Sequence, residues 1–239
     1  MNNTIKKLIP KRIIVILGMH RSGTSFLTGS LQQAGVELGK YSEWNRHNKK
    51  GNRENTDIVE LNDSVLAKNG GSWLYPPIYV DWDEESISEA KRILELYQST
   101  DIFAFKDPRT IITLDGWLQL APHSEFIGIF RTPSAVIASL VKRGEVSVEE
   151  GCAAWLAYNI KLLEYHKRWK FPLICFDWSE KKLDTKINDF CIINDLKPLN
   201  DSDRFFSSTL RSKPQKRRIK ISLQMRYIYW RLRFRAVFC

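Results

Sequence analysis

Apolar and polar positions along the chain switch between two periods. Ile13–Leu17 (I-I-V-I-L) is an unbroken, largely β-branched run ending at a glycine, the pattern of a buried parallel strand. Thr24–Gln33 carries helical spacing, with Phe26, Leu27 and Leu31 on one face. Residues 41–56 are polar and rich in Asn, Lys and Arg, which predicts an exposed loop. Helical offsets return over Thr56–Lys68, where Ile58, Leu61, Val65 and Leu66 align, and again over Glu84–Gln98. Between them Trp73–Trp82 is aromatic and proline-rich, a loop that packs on the body.

The second half repeats the alternation. Ile102–Phe105 predicts a short strand running into Lys106-Asp107-Pro108-Arg109, where Pro108 breaks the pattern. A helix is expected over Thr110–Leu120, a buried strand over Glu125–Phe130, and a helix from Pro133 to about Arg143. Val148–Trp169 reads as a long helix, Pro172–Phe176 as the last strand and Lys181–Ile193 as a further helix. There is no internal repeat. Strands alternating with helices predict an α/β fold of three layers, a mainly parallel central sheet flanked by helices. Ligands in such folds sit at the carboxyl ends of the strands. The loops after Leu17, Phe105 and Phe130 therefore matter most, and each contains a cation.

Composition changes this picture only at one end. The chain is 43% hydrophobic and 27% charged, as expected of a soluble globular protein, and its 239 residues suffice for one sizeable α/β core or at most two small domains. Of the net charge of +10, all is carried by residues 211–239, which hold ten Lys or Arg and no Asp or Glu. Residues 1–210 are near neutral and are expected to form the folded domain, with 211–239 a basic C-terminal extension. A core without a basic patch argues against nucleic acid as partner. Cys152, Cys175, Cys191 and Cys239 lie far apart, which favours buried thiols in a reducing cytosol over disulfides or a metal site. Lys6 and Lys7 precede an apolar run too short for a secretion signal, and no segment is long enough to span a membrane. A cytoplasmic location is expected.

The chemistry starts at Gly18-Met19-His20-Arg21-Ser22-Gly23-Thr24-Ser25, which has the G-x-x-x-x-G spacing of a phosphate cradle. Gly23 permits backbone conformations that turn successive N–H groups inward, and the helix behind it adds its dipole. Ser22, Thr24 and Ser25 add hydroxyls. Thr24 stands where nucleoside-triphosphate loops carry lysine, and the cation appears instead at Arg21. An ordinary triphosphate with magnesium is thereby disfavoured.

R-S-G-T-S directly after a first strand resembles the 5′-phosphosulfate loop of the sulfotransferases that use 3′-phosphoadenosine 5′-phosphosulfate (PAPS), whose fold is P-loop NTPase-like. The resemblance covers about residues 10–195. It implies that Arg21, Ser22, Gly23, Thr24 and Ser25 hold the 5′ group of PAPS, with Arg21 stabilising the bridging oxygen. It also implies that Arg131, at the end of a strand, and Ser139, eight residues on, grip the 3′-phosphate. Lys106-Asp107-Pro108 is similar to the Lys-Asp-Pro turn of tyrosylprotein sulfotransferases and bacterial relatives, which implies that Lys106 faces the transferred sulfuryl. Asp107 and Arg109 are expected to pair or to orient that turn. In several branches a glutamate between the first loop and this turn takes the acceptor's proton; Glu54 is the best match, with Glu60, His20 and His47 as rivals. Glu54 and Asp57 also suit the first turn of a helix on electrostatic grounds alone. Arg211 is a candidate to cover the nucleotide.

The expected activity is transfer of the sulfuryl group of PAPS, without a metal, to a hydroxyl on a small molecule or saccharide such as a carbohydrate or glycolipid. Two other classes remain: a nucleotide kinase or NTPase with a degenerate loop, and a non-enzymatic anion-binding module at a membrane surface. The second draws on residues 213–239, where Lys and Arg interleave with Ile, Leu, Tyr, Trp and Phe. A basic amphipathic helix there suits peripheral membrane contact. The alternation around Arg231, Arg233 and Arg235 suits a strand or an irregular tail equally well, and a core-docking extension is also open.

Overall fold

The computed structural model describes residues 9–41, 51–144, 146–199 and 219–238. Four strands, β1 (Arg12–Leu17), β2 (Ile102–Phe105), β3 (Glu125–Phe130) and β4 (Leu173–Cys175), form one all-parallel sheet in the order β2-β1-β3-β4. In β1 and β3 every residue after the first is buried. Neighbouring side chains on a strand point to opposite faces, so both faces of the sheet are covered. The α/β layering expected from the sequence is present.

Among the described residues eight helices surround the sheet: α1 (Thr24–Gln33), α2 (Thr56–Lys68), α3 (Glu84–Glu95), α4 (Thr110–Leu120), α5 (Pro133–Val141), α6 (Val148–Trp169), α7 (Glu180–Ile193) and α8 (Leu223–Phe238). Their starts are set by local chemistry. Asn55 accepts from the backbone N–H groups of Asp57 and Ile58, Asp83 accepts from Ser86, and Ser147 with Glu150 forms a reciprocal capping box. Pro133 opens α5, where its missing N–H costs nothing. Three helix ends differ from the pattern. α7 starts one residue early, at Glu180, because Ser179 caps it by accepting from the Lys182 N–H. α3 stops at Glu95 because Tyr97 turns away to stack on Phe103, with ring centroids 4.3 Å apart. α5 stops at Val141 and turns at Gly144, whose φ is 81°.

The strand order positions the site. From β1 the chain leaves toward β2 on one side, and from β3 it leaves toward β4 on the other. The two loops diverge and open a crevice at the carboxyl ends of β1 and β3. Glycine is required where the loops pass closest: a Cβ on Gly18 would lie 2.4 Å from the Ile129 carbonyl oxygen.

The turn after β2 is held by Asn62 on α2, which is fully buried. Its Nδ2 donates to Asp107 Oδ2 at 2.8 Å and Thr110 Oγ1 at 3.0 Å. Its Oδ1 accepts from Thr113 Oγ1 at 2.7 Å and Trp117 Nε1 at 3.0 Å. All four bonding positions of the amide are used. Asn62→Ala strands several buried polar groups at once, and urea unfolding is expected to show a loss of roughly 3 kcal/mol.

Candidate active site

At the amino end of α1 the backbone is left-handed at Arg21 (φ 65°) and at Gly23 (φ 95°). For an arginine this conformation costs on the order of 1–2 kcal/mol. Gly23 has no such penalty, and a Cβ there would also meet the Phe176 ring at 2.5 Å. No side chain caps α1. The N–H groups of its first turn have no intrahelical acceptor and stand open to an anion. Ser22 is completely buried, and its Oγ has no hydrogen-bonding partner. Ser25 Oγ donates to the Asn52 carbonyl at 3.1 Å, and Thr24 is buried.

Arg21 crosses the crevice. Its Nε donates to Ser139 Oγ at 2.9 Å, joining the loop after β1 to α5 after β3. Burial, then the like charges of Arg143 and Arg131, bring its pKa down to about 10. It stays a cation at neutral pH. An anion placed among these arginines would relieve both costs, so the loop suits a polyanion with more than one anionic group.

Arg131 Nε lies 3.6 Å from Asp177 Oδ1, and its guanidinium sits over the Phe176 ring at 5.3 Å. Asp177 also accepts from the Thr132 N–H at 2.7 Å and from the Tyr229 hydroxyl at 3.3 Å. The Arg131-Thr132 turn is thus tied to the loop after β4 and to α8.

On the other side of the crevice, Lys106 is 1% exposed and its Nζ donates to Glu54 Oε1 at 2.6 Å. These two residues, 52 apart in sequence, are brought into one ion pair. Glu54 is placed by its neighbours. Tyr97 OH accepts from Asn55 Nδ2 at 2.9 Å, and Arg53 Nε donates to Gln32 Oε1 at 3.0 Å. Arg109 bridges Asp107 at 2.8 Å and Asp63 at 2.5 Å, as expected for a residue that orients the turn. Burial pushes the Asp107 carboxyl up to about 6 against the pull of Arg109.

A cleft of about 230 Å³ gathers these parts. Arg21, Thr24, Ser25 and Glu54 line it beside His20, Asn52, Trp73, Arg109 and Arg143. Lys106 reaches the lining through its ion pair with Glu54, and Arg131 lies over Phe176; neither is itself a lining residue. Glu60 lines a separate pocket with Asp57 and Lys68 and is not brought to the cleft. His47 and Arg211 lie outside the described residues. Arg143 was not picked out from sequence; it lies just past the end of α5, in the turn that runs into Gly144. Asn52 and Trp73 lie in the loops around 41–56 and 70–82, from which the acceptor is expected to approach, but neither is singled out by a motif of its own. Among the described residues no cluster of His, Cys, Asp and Glu is arranged to hold a metal.

His20 packs against Trp73 at 4.8 Å, and its buried Nε2 has no hydrogen-bonding partner. Burial, together with Arg109, Lys106, Arg21 and Arg143, holds its pKa well below the ordinary 6.5. The imidazole is neutral at pH 7.

No protein-family model and no curated protein matches the chain. The solved structures similar in fold include two sulfotransferase domains. The sulfotransferase domain from the Synechococcus PCC 7002 olefin synthase aligns with a TM-score of 0.57 and 16% identity, covering 92% of this chain and 94% of that one. The sulfotransferase domain from the curacin biosynthetic pathway aligns with a TM-score of 0.53 and 15% identity, covering 94% and 98%. The chain has the fold of these domains over nearly its whole length.

In the unfolded chain His20 takes up a proton near 6.5, whereas the folded site resists it. The unfolded state then binds more protons, so stability present above that pH is lost as the pH falls. In His20→Gln the urea midpoint is expected to drop less steeply than in the parent between about pH 6.5 and 5.

Proposed function

We propose that the protein is a sulfotransferase that moves the sulfuryl group of PAPS to a hydroxyl of an acceptor, such as a carbohydrate or glycolipid. The observation that carries this reading is the contact of Arg21 with Ser139 across the β1–β3 crevice, with Arg131 close enough to act on Arg21. A simple phosphate cradle has no need of the second loop. A donor with anionic groups at both its 5′ and 3′ ends does.

In this reading the first-turn N–H groups of α1, with Ser22, Thr24 and Ser25, bind the 5′ group, and Ser22 Oγ gains the partner it lacks. Ser139 accepts from Arg21 and keeps its own O–H to donate to the 3′-phosphate beside Arg131. When bound, the donor supplies an activated sulfur whose leaving group is a phosphate oxygen. The bond from sulfur to that bridging oxygen breaks as a bond to the acceptor oxygen forms. Arg21 and Lys106 hold the negative charge that builds on the bridging oxygen, as cations do in phosphoryl transfer. Glu54 receives the acceptor's proton, its carboxylate aimed by Lys106 at 2.6 Å. The acceptor enters through the cleft beside Trp73 and Asn52. His20 is the second candidate for the base, because its neutral ring presents a buried Nε2 without a partner.

Calorimetry with 3′,5′-bisphosphoadenosine against ATP with magnesium tests the donor. The bisphosphate is expected to bind more tightly, and Arg131→Ala to weaken it with little effect on ATP. Tighter binding of ATP would sink the proposal and favour a kinase or NTPase. For the base, Glu54→Gln is expected to lower kcat by about 10²-fold or more while bisphosphoadenosine affinity holds. A loss of that size in His20→Gln instead would move the role to the imidazole.

A further inference from the structure

The final helix has two apolar faces. On one, Met225, Leu232 and Ala236 are buried where α8 packs on α6 and β4. On the other, Leu223, Tyr227, Trp230, Phe234 and Val237 recur at alternating spacings of four and three residues and are 52 to 82% exposed. At 100° per residue these five side chains fall on one stripe along a helix of roughly 24 Å. A helix with apolar residues on opposite faces has almost no net amphipathic direction, which is why the sequence pattern alone left helix, strand and irregular tail all open.

The borders of the stripe are cationic. Arg226 and Arg233 flank one side, and Arg231 and Arg235 the other. The helix contains no Asp or Glu. Trp230 and Phe234 stack at 5.7 Å, and the Arg231 guanidinium donates to Tyr227 OH at 2.5 Å. Aromatic rings with both an apolar body and a polar edge, bordered by arginines whose stems reach past them, match the boundary of a lipid bilayer. No helix among the described residues is long and apolar enough to cross a membrane, so contact through α8 would be along the surface.

Charge decides between this and a second copy of the chain. The stripe has coiled-coil spacing, but pairing two copies would set Arg226, Arg231 and Arg233 against one another at the flanking positions. Like charges there oppose a dimer, whereas an anionic lipid surface attracts every one of them. We propose that α8 docks the protein on an anionic membrane, with the Leu223–Val237 stripe entering the headgroup region and the flanking arginines meeting lipid phosphates. This does not depend on the catalytic reading. It does orient the molecule, because Tyr229 on α8 donates to Asp177, the carboxylate beside Arg131.

Co-sedimentation of the full chain with vesicles tests the proposal. Binding is expected to vesicles of equimolar phosphatidylcholine and phosphatidylglycerol, and not to phosphatidylcholine alone. The double change Trp230→Ser with Phe234→Ser is expected to weaken it about tenfold or more, as is Arg231→Gln with Arg233→Gln. These side chains are largely on the surface, so both variants should melt with the parent; if the aromatic variant does not, the arginine variant carries the test. Absence of binding to the anionic vesicles at low salt would overturn the proposal. Binding that both variants leave unchanged would do the same. So would a dimer in sedimentation equilibrium that the aromatic variant dissolves, which would assign the stripe to a second copy.

Discussion

The crevice depends on one costly arrangement, an arginine held in a left-handed backbone conformation and buried near two others. Arg21 has only the Ser139 hydroxyl as its described hydrogen-bonding partner, and a neutral oxygen does not balance a guanidinium. Burial and like charge lower its pKa to about 10, which measures how far the folded chain strains to keep it charged. Such sites persist when the surroundings over-determine them, and they are common where an anion completes the electrostatics.

The surroundings here are specific. Gly18 lets the loop press against β3, Gly23 supplies the turn under Phe176, and Phe176 in turn carries Arg131 on its face. On the opposite wall, Asn62 fixes the turn after β2 with all four of its hydrogen bonds, and Arg109 locks that turn to α2 through Asp63. Lys106 then has a single described direction, toward Glu54. Two rigid walls with cations facing one cleft form a site suited to charge transfer, since groups placed beforehand need not reorganise as the reaction proceeds.

α8 ties this site to the outer surface. Its inner face completes the core over β4, and Tyr229 reaches the carboxylate that orients the Arg131 turn. Its outer face keeps large aromatic residues in solvent beside arginines, a combination that ordinary folding stability does not require. The same short helix thus belongs to the packing of the fold and to whatever the protein meets at its surface.

Much of the architecture was legible in sequence because it rests on local rules. An unbroken, largely β-branched run marked β1 and a mainly apolar segment marked β3, helical offsets placed α1, α2 and α6 to the residue, and G-x-x-x-x-G before a helix marked the anion loop. Arg21, Lys106, Arg131, Ser139 and Glu54 could be nominated because each sits at the end of an element or matches a motif. What sequence could not supply was who meets whom. The Lys106–Glu54 pair, the Arg21–Ser139 contact and the Asn62 hub join residues about fifty or more positions apart, and only the β2-β1-β3-β4 order brings them together. Arg143 entered the site because α5 stops short of it and the following turn leaves it lining the cleft, not because its own neighbourhood is distinctive. For the tail the sequence offered a basic amphipathic helix, a strand, an irregular tail and a core-docking extension without choosing between them, for a related reason. One face of α8 is apolar for the core and the other for its exposed surface, so its periodicity cancels, and only the packed structure separates the two.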